Sequence, residues 1–246
     1  MDERISTHAE VLARKPMLAD VFREIHEAIW QADQDHVTAP DELLRVELGA
    51  GVAPIRDSFP GVLSTDVVDA PGIDQVVNAQ DMPFDDASVR ALYGQNCFHH
   101  FPDPDLFFKE ASRVLAPGGG IILIEPYYSP LSQLIYPHLF KTETFDMKMD
   151  GWKAPISGPM EGANQALSYI VFKRDRGQFE EMYPEFEIAH QHALVNYPRY
   201  LLSGGLNFPQ LIPNFMAPVV KGMEFVVSPL RGAFALHHLI VITKAK

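Results

Sequence analysis

The segment Val46-Glu47-Leu48-Gly49-Ala50-Gly51 combines an apolar run, a carboxylate and two glycines one residue apart. A buried strand ending in Gly-x-Gly lets the main chain approach a ligand closely, because a side chain there would collide with it. Asp66 closes the next apolar run, where a carboxylate accepts both hydroxyls of a ribose. Glu47 stands just ahead of the turn, where its charge suits a cationic ligand group, directly or through water. Cradling a pyrophosphate would require Gly-x-Gly-x-x-Gly, and the sixth position is Pro54, so a dinucleotide is disfavoured. Taken alone, Gly-x-Gly is equally a tight turn without a ligand, and Asp66 an exposed turn carboxylate near Asp69 and Asp74. The two in phase point to a site.

These residues need a scaffold, and the chain supplies a repeating one. Leu18, Val21, Phe22, Ile25, Ala28 and Ile29 recur at spacings of three and four after Pro16, which predicts a packed N-terminal helix over 17–30. Leu43 to Leu48 reads as a strand running into the glycine turn. Val62–Leu63, Ile73–Val77 and Val89–Tyr93 are further short strands. Asp103 as N-cap and Pro104 at the first helical position open a helix carrying Leu106, Phe107, Ala111, Val114 and Leu115 on one face. Pro117-Gly118-Gly119-Gly120 stops it, and Ile121-Ile122-Leu123-Ile124 is apolar at every position, as a buried parallel strand is. Phe186–Val195 and Ala233–Thr243 suit two closing strands around a broken helix at 208–227. This succession predicts an α/β, doubly wound sheet.

Four segments, in order, resemble the class I S-adenosylmethionine (SAM) dependent methyltransferases, specifically the small methyltransferase-domain (type 11-like) group. They are Val46–Gly51, Asn78–Ser88, Asn96–Pro104 and Glu110–Gly119, and the resemblance covers about residues 43–126. It implies a seven-stranded Rossmann-like sheet with a C-terminal antiparallel hairpin. It also implies that Gly49, Ala50 and Gly51 line the methionine end of SAM, Asp66 the ribose, Asn78 and Ala79 the adenine edge. Met82 would pack on the adenine ring, and Asn96 would meet the amino group of the methionine part through its backbone carbonyl. Three positions depart from the family. Ala53 replaces its next glycine, Asn78 stands where an Asp is usual, and the short Asp66-to-Ile73 interval has no room for a crossover helix, which leaves Asp69 as a rival for the ribose.

Methyl transfer from a sulfonium is an in-line displacement in which the protein aligns the acceptor and excludes water. For a hydroxyl acceptor a base would help, and His99-His100 sits at a strand end: His99 is the first candidate and His100 the second. Structural packing beneath the cofactor suits the same imidazoles. Cys97, the single cysteine, is expected to be a small buried residue rather than a nucleophile. His190-x-His192 and His237-His238 lack partners at metal-ligand spacing, so no metal is expected. Beyond Pro126 the chain becomes an aromatic-rich insertion. Tyr127 and Tyr128, nearest the strand end, are expected to touch the acceptor, while Tyr136, Phe140, Phe145 and Trp152 suit either that task or the insertion's own core.

The 246 residues fit one domain: a helical cap (1–40), a SAM-binding core (41–126), an acceptor-side insertion (127–185), and C-terminal strands and helix (186–246). The net charge of −12 argues against a nucleic-acid partner. The acidity is uneven, since residues 1–110 carry 21 Asp and Glu against 8 Lys and Arg. SAM is a net cation, and a favourable field for it would lie there. The uncharged stretch 200–220 holds Gly, Pro and Asn residues that make a membrane-spanning helix improbable. One free cysteine and no signal-like opening point to a cytoplasmic protein. The expected activity is methyl transfer to a small molecule, at a hydroxyl oxygen. A scaffold that has lost catalysis is the first rival, and a nicotinamide-dependent oxidoreductase the second.

Overall fold

The computed structural model describes residues 3–139, 143–154 and 163–246. Two helices come first, α1 (Glu3–Ala13) and α2 (Pro16–His36). Seven strands follow: β1 (Leu44–Leu48), β2 (Val62–Asp66), β3 (Gln75–Val76), β4 (Val89–Gln95), β5 (Leu115–Pro126), β6 (Phe186–Ala193) and β7 (His237–Lys244). They form one sheet in the order β3-β2-β1-β4-β5-β7-β6. The first five strands pair in parallel, and β7 runs antiparallel to both β5 and β6. The expected closing pair is therefore present, joined through residues 194–236 and the helices α7 (Tyr197–Leu202), α8 (Ala217–Val227) and α9 (Arg231–Phe234). Between β5 and β6 lie α4 (Pro130–Leu139), a turn α5 (Leu167–Tyr169) continued as a π-helical turn (Ile170–Arg174), and α6 (Arg176–Met182).

Both faces of the sheet are covered, as all-apolar central strands require. On one face α3 (Pro104–Val114), capped as expected by Asp103, which accepts from the Asp105 N–H, packs Phe107, Phe108 and Ala111 against Leu92, Ile121 and Leu123. On the other, Val21, Ile25 and Ile29 of α2 pack against Tyr93, Ile122 and Ile124. Crossovers differ from the usual pattern. No helix separates β2 from β3, as the short interval led us to expect, and β1 connects to β2 through only a 3-10 turn at Ile55–Asp57. Helix α1 had no clear signature in the sequence.

A buried polar knot fastens α2 to the sheet. Asp33 is fully buried, its Oδ1 accepting from Arg90 Nε (2.9 Å) and Nη2 (2.6 Å), its Oδ2 from Arg45 Nε (3.2 Å) and the Tyr93 hydroxyl. No helix among the described residues is long and apolar enough to cross a membrane.

Candidate active site

The carboxyl ends of β1, β2, β4 and β5 open into a cavity of about 810 Å³. Ligands bind at this edge of open α/β sheets, where strand order reverses. Here β1 and β4 are adjacent, and their connections leave toward opposite sides.

The residues expected to meet a cofactor come from strand ends and the loops after them. Gly49 and Gly51 both have positive φ (64° and 56°). A Cβ on Gly49 would lie 2.7 Å from Cys97 Cβ, whereas a Cβ on Gly51 would have nothing closer than the Gly49 carbonyl at 3.9 Å. Space in front of Gly51 is thus left open by the protein. Asp66 Oδ2 accepts from the Gly51 N–H (3.1 Å) and Oδ1 from the Val68 N–H (3.2 Å), which orients the carboxylate at the cavity wall. Ala50, Asn78, Ala79 and Asn96 also line the cavity, and Asp69 does not. Asn96 has φ 51°, and no hydrogen-bond partner for its buried Oδ1 is found among the described residues. Asn78 Oδ1 accepts from the Gln80 N–H (3.0 Å), so part of its capacity closes its own turn.

Two cofactor-side expectations need correction. Glu47 is buried behind the turn, not in the cavity: its Oε2 accepts from the Ile55 N–H (2.9 Å) and Ser64 Oγ (3.0 Å), pinning the loop that carries the glycines. Burial pushes its carboxyl up to about 8, against the lowering effect of those two donors, and Asp57 and Asp66 add to the rise. It is therefore largely a neutral acid at pH 7 and offers no full charge to a cation. Met82 lies in the core instead of on the cavity wall, with its N–H donated to Glu110 Oε2 at 2.8 Å.

Glu47 also sets a pH dependence. A carboxyl with a folded pKa above its unfolded value stabilises the fold fully below about pH 4.5, and that stability is lost as pH rises toward 8, at about 1.4 kcal/mol per unit. In Glu47→Gln the amide oxygen accepts the same two bonds without titrating. Its melting temperature is expected to fall less than that of the wild type between pH 5 and pH 8, and parallel declines would contradict the assignment.

His99, also on the cavity wall, is buried between two carboxylates. Its Nδ1 lies 2.6 Å from Glu125 Oε2, and its Nε2 lies 3.4 Å from Glu143 Oε2. Glu125, itself fully buried, also accepts the Cys97 and Phe98 N–H groups through Oε1 (3.0 and 2.9 Å). Burial favours neutral imidazole, but Glu125 and then Glu143 outweigh it and raise His99 to about 10. These carboxylates favour the protonated ring, which in that form has no lone pair for a proton and gains one only where a cation displaces its Nε2 proton. Glu143 is driven the other way: burial raises it, and His99 and His100 overcome this and hold it well below the usual range. His100 Nε2 stands 3.6 Å from Glu143 Oε1. The Cys97 thiol is pushed well up, first by burial and then by Glu125, and so stays protonated.

Tyr127 and Tyr128 do not line the cavity. The Tyr127 N–H donates to the Leu236 carbonyl (2.7 Å), and the two rings pack on each other, on Tyr169 and on His238. Trp152 is a core residue bonded to Asp175, Phe145 stacks on Tyr136, and Phe140 falls outside the described residues. The rest of the cavity wall includes Tyr136, Glu143, Gln165, Tyr200 and His237, with Phe22 and His8 from the N-terminal helices. His237 is lowered to about 4, by burial and then by the nearby His99 charge, so it is neutral. Burial pushes Tyr200 up to about 12. Lys15 Nζ closes the roof by donating to the carbonyls of Gly205 (2.7 Å) and Phe208 (2.6 Å), beside the cavity residues Leu206 and Asn207.

Residues 52–123 match the family model described as the methyltransferase domain. That segment is similar to a methyltransferase domain. The glycine turn lies just ahead of the matched segment, and Asp66, Asn78, Ala79, Asn96, His99 and His100 lie inside it. Over 50 residues the chain is 42% identical to tocopherol O-methyltransferase, chloroplastic, of Arabidopsis thaliana, which covers 20% of this chain and 14% of that protein. Over 54 residues it is 41% identical to sarcosine/dimethylglycine N-methyltransferase of Halorhodospira halochloris, covering 21% and 19%. The matched stretches thus span less than a fifth of these relatives. Among solved structures, a geranyl diphosphate C-methyltransferase from Streptomyces coelicolor A3(2), in complex with Mg2+, geranyl diphosphate and S-adenosyl-L-homocysteine, aligns over 87% of this chain and 80% of that one at 17% identity and TM-score 0.49.

Proposed function

We propose that this methyltransferase domain binds SAM and transfers its methyl group to a hydroxyl oxygen of a small, largely apolar acceptor. One observation carries the reading. The glycine turn, Asp66, Asn78–Ala79 and Asn96 line one cavity together with the aromatic side chains of Phe22, Tyr136 and Tyr200 and a few buried polar groups. The residues present suit an adenosyl sulfonium: Asp66 for the ribose hydroxyls, the open space at Gly51 for the methionine part, and Asn96 as an unsatisfied acceptor beneath it. When bound, SAM supplies the electrophilic methyl group. The chain's task is to orient both molecules and exclude water, and the Lys15-tethered roof with α1 and α2 serves that end. Phe22, Tyr136 and Tyr200 favour an acceptor with a ring or other flat apolar body.

The nicotinamide rival loses further support from the fold, because the 3-10 turn after β1 offers no α-helix N-terminus to a pyrophosphate. An acceptor-side location for residues 200–207 agrees with the neutral, uncharged character of that stretch. Asp66→Ala tests the cofactor half. Loss of a charge-assisted contact of about 1.5–3 kcal/mol is expected to weaken SAM binding roughly ten- to hundredfold in calorimetric titration. An unchanged affinity would take the ribose role away from Asp66.

A further inference from the structure

The cavity holds a second arrangement that the methyltransferase reading does not use. The ligand atoms of His99, His100 and Glu143 lie within 4.8 Å of one another. Glu143 faces the two imidazoles at separations of 3.4 Å (His99 Nε2 to Oε2) and 3.6 Å (His100 Nε2 to Oε1). Charge-assisted N–H···O bonds close to about 2.7–2.9 Å, so these gaps are too wide for tight pairs. They are close to the spacing of about 3.3–3.6 Å between ligand atoms on one tetrahedral ion with bonds of about 2.0–2.2 Å, although the two imidazoles face different oxygens of Glu143. The groups behind them, by contrast, are in firm contact. Glu125 Oε2 lies 2.6 Å from His99 Nδ1, and Gln165 Nε2 donates to Glu143 Oε2 at 2.7 Å. A carboxylate on the far nitrogen of a histidine is the recurring way a metal-facing imidazole is oriented.

We propose that His99, His100 and Glu143 form a binding site for a divalent transition ion, Zn2+ or one of similar size. Two nitrogen donors and one carboxylate favour such an ion over Mg2+ or Ca2+, which prefer all-oxygen shells. Three protein ligands leave a fourth position open toward the cavity, as in sites where a metal holds a substrate atom. Resting on the methyltransferase reading, the ion takes the place of the His99 Nε2 proton, holds the acceptor oxygen and lowers its pKa. The exposed pair His190–His192 (Nε2 to Nδ1, 3.0 Å) belongs to no such three-ligand cluster among the described residues.

Full-length protein stripped with a chelator and titrated with Zn2+, and separately with Co2+ read by its visible absorption, tests the site without reference to methyl transfer. One equivalent is expected to bind. Glu143→Gln is expected to weaken it at least tenfold, and a His190→Gln/His192→Gln double variant to leave it unchanged. Unaltered circular dichroism and SAM affinity in Glu143→Gln separate loss of a ligand from loss of the fold or of the cofactor site. If Glu143→Gln fails to fold, His100→Asn takes its place with the same expectation. No ion bound by the wild type at micromolar concentration, full binding by the folded ligand variant, or loss of binding in the double variant would overturn the proposal. Because SAM binding is measured apart, failure of the ion site and failure of the cofactor reading give different results.

Discussion

Glu125→Ala is expected to destabilise the protein by about 3–5 kcal/mol and to abolish a formed cavity wall. The carboxylate is fully buried, and its removal leaves the Cys97 and Phe98 N–H groups and the His99 imidazolium without their acceptor. Three stranded donors cost more than the deletion of any aliphatic group nearby, because each keeps its desolvation penalty. The isosteric Glu125→Gln separates charge from shape. Its amide oxygen still accepts the two backbone donors, and its amino group donates to a neutral His99 Nδ1. In chelator-treated protein the His99 ring, followed by NMR, is then expected to titrate near or below the ordinary histidine value instead of about 10. Persistence of the imidazolium to pH 10 in this variant would show that Glu125 is not its cause.

Asp33→Ala is expected to cost a similar 3–5 kcal/mol and to lower the melting temperature on the order of 10 °C, measured by calorimetry. Here the stranded partner is Arg90, whose side chain is almost wholly buried and keeps the backbone carbonyls of Val37 and Ala39 and a longer contact to Asp41 Oδ1 (3.4 Å). Because the knot joins α2 to β4, its loss also loosens the helix that brings Phe22 to the cavity. Asp33→Asn retains hydrogen-bonding oxygen without charge and is expected to recover part of the loss. A melting temperature within 2 °C of wild type in Asp33→Ala would contradict the buried-pair account.

Local sequence placed the glycine turn and Asp66 at the cavity, for a physical reason. A strand that must stop, a turn that needs positive φ and a carboxylate at the next strand end are all written within about twenty residues, so Gly49–Gly51 and Asp66 could be read directly. Helix α3 was similarly legible through the Asp103 cap and Pro104. The rest of the cavity wall was not, because Glu143, Gln165, Tyr200 and His237 reach it from distant elements with no shared periodicity. Tyr127 and Tyr128 misled by proximity: they follow β5 immediately, but the Tyr127 N–H continues the pairing with the chain before β7 and carries both rings away from the cavity. His99 lines the cavity, but its ionisation is governed by Glu125, twenty-six residues on, which sequence alone does not pair with it. Glu47 erred in the opposite sense, as a carboxylate read as a charge and found buried.

The field of the acidic first part remains a reasonable companion to a cationic cofactor, although Asp33 and Glu47 are spent on internal bonds. Direct titration of the full-length protein with SAM, beside parallel titrations with NADH and NADPH, tests the central claim. Saturable binding of one SAM per chain, with no heat from either nicotinamide cofactor, is the expected result. Absence of SAM binding at millimolar concentration, or retention of a nicotinamide cofactor in its place, would contradict it.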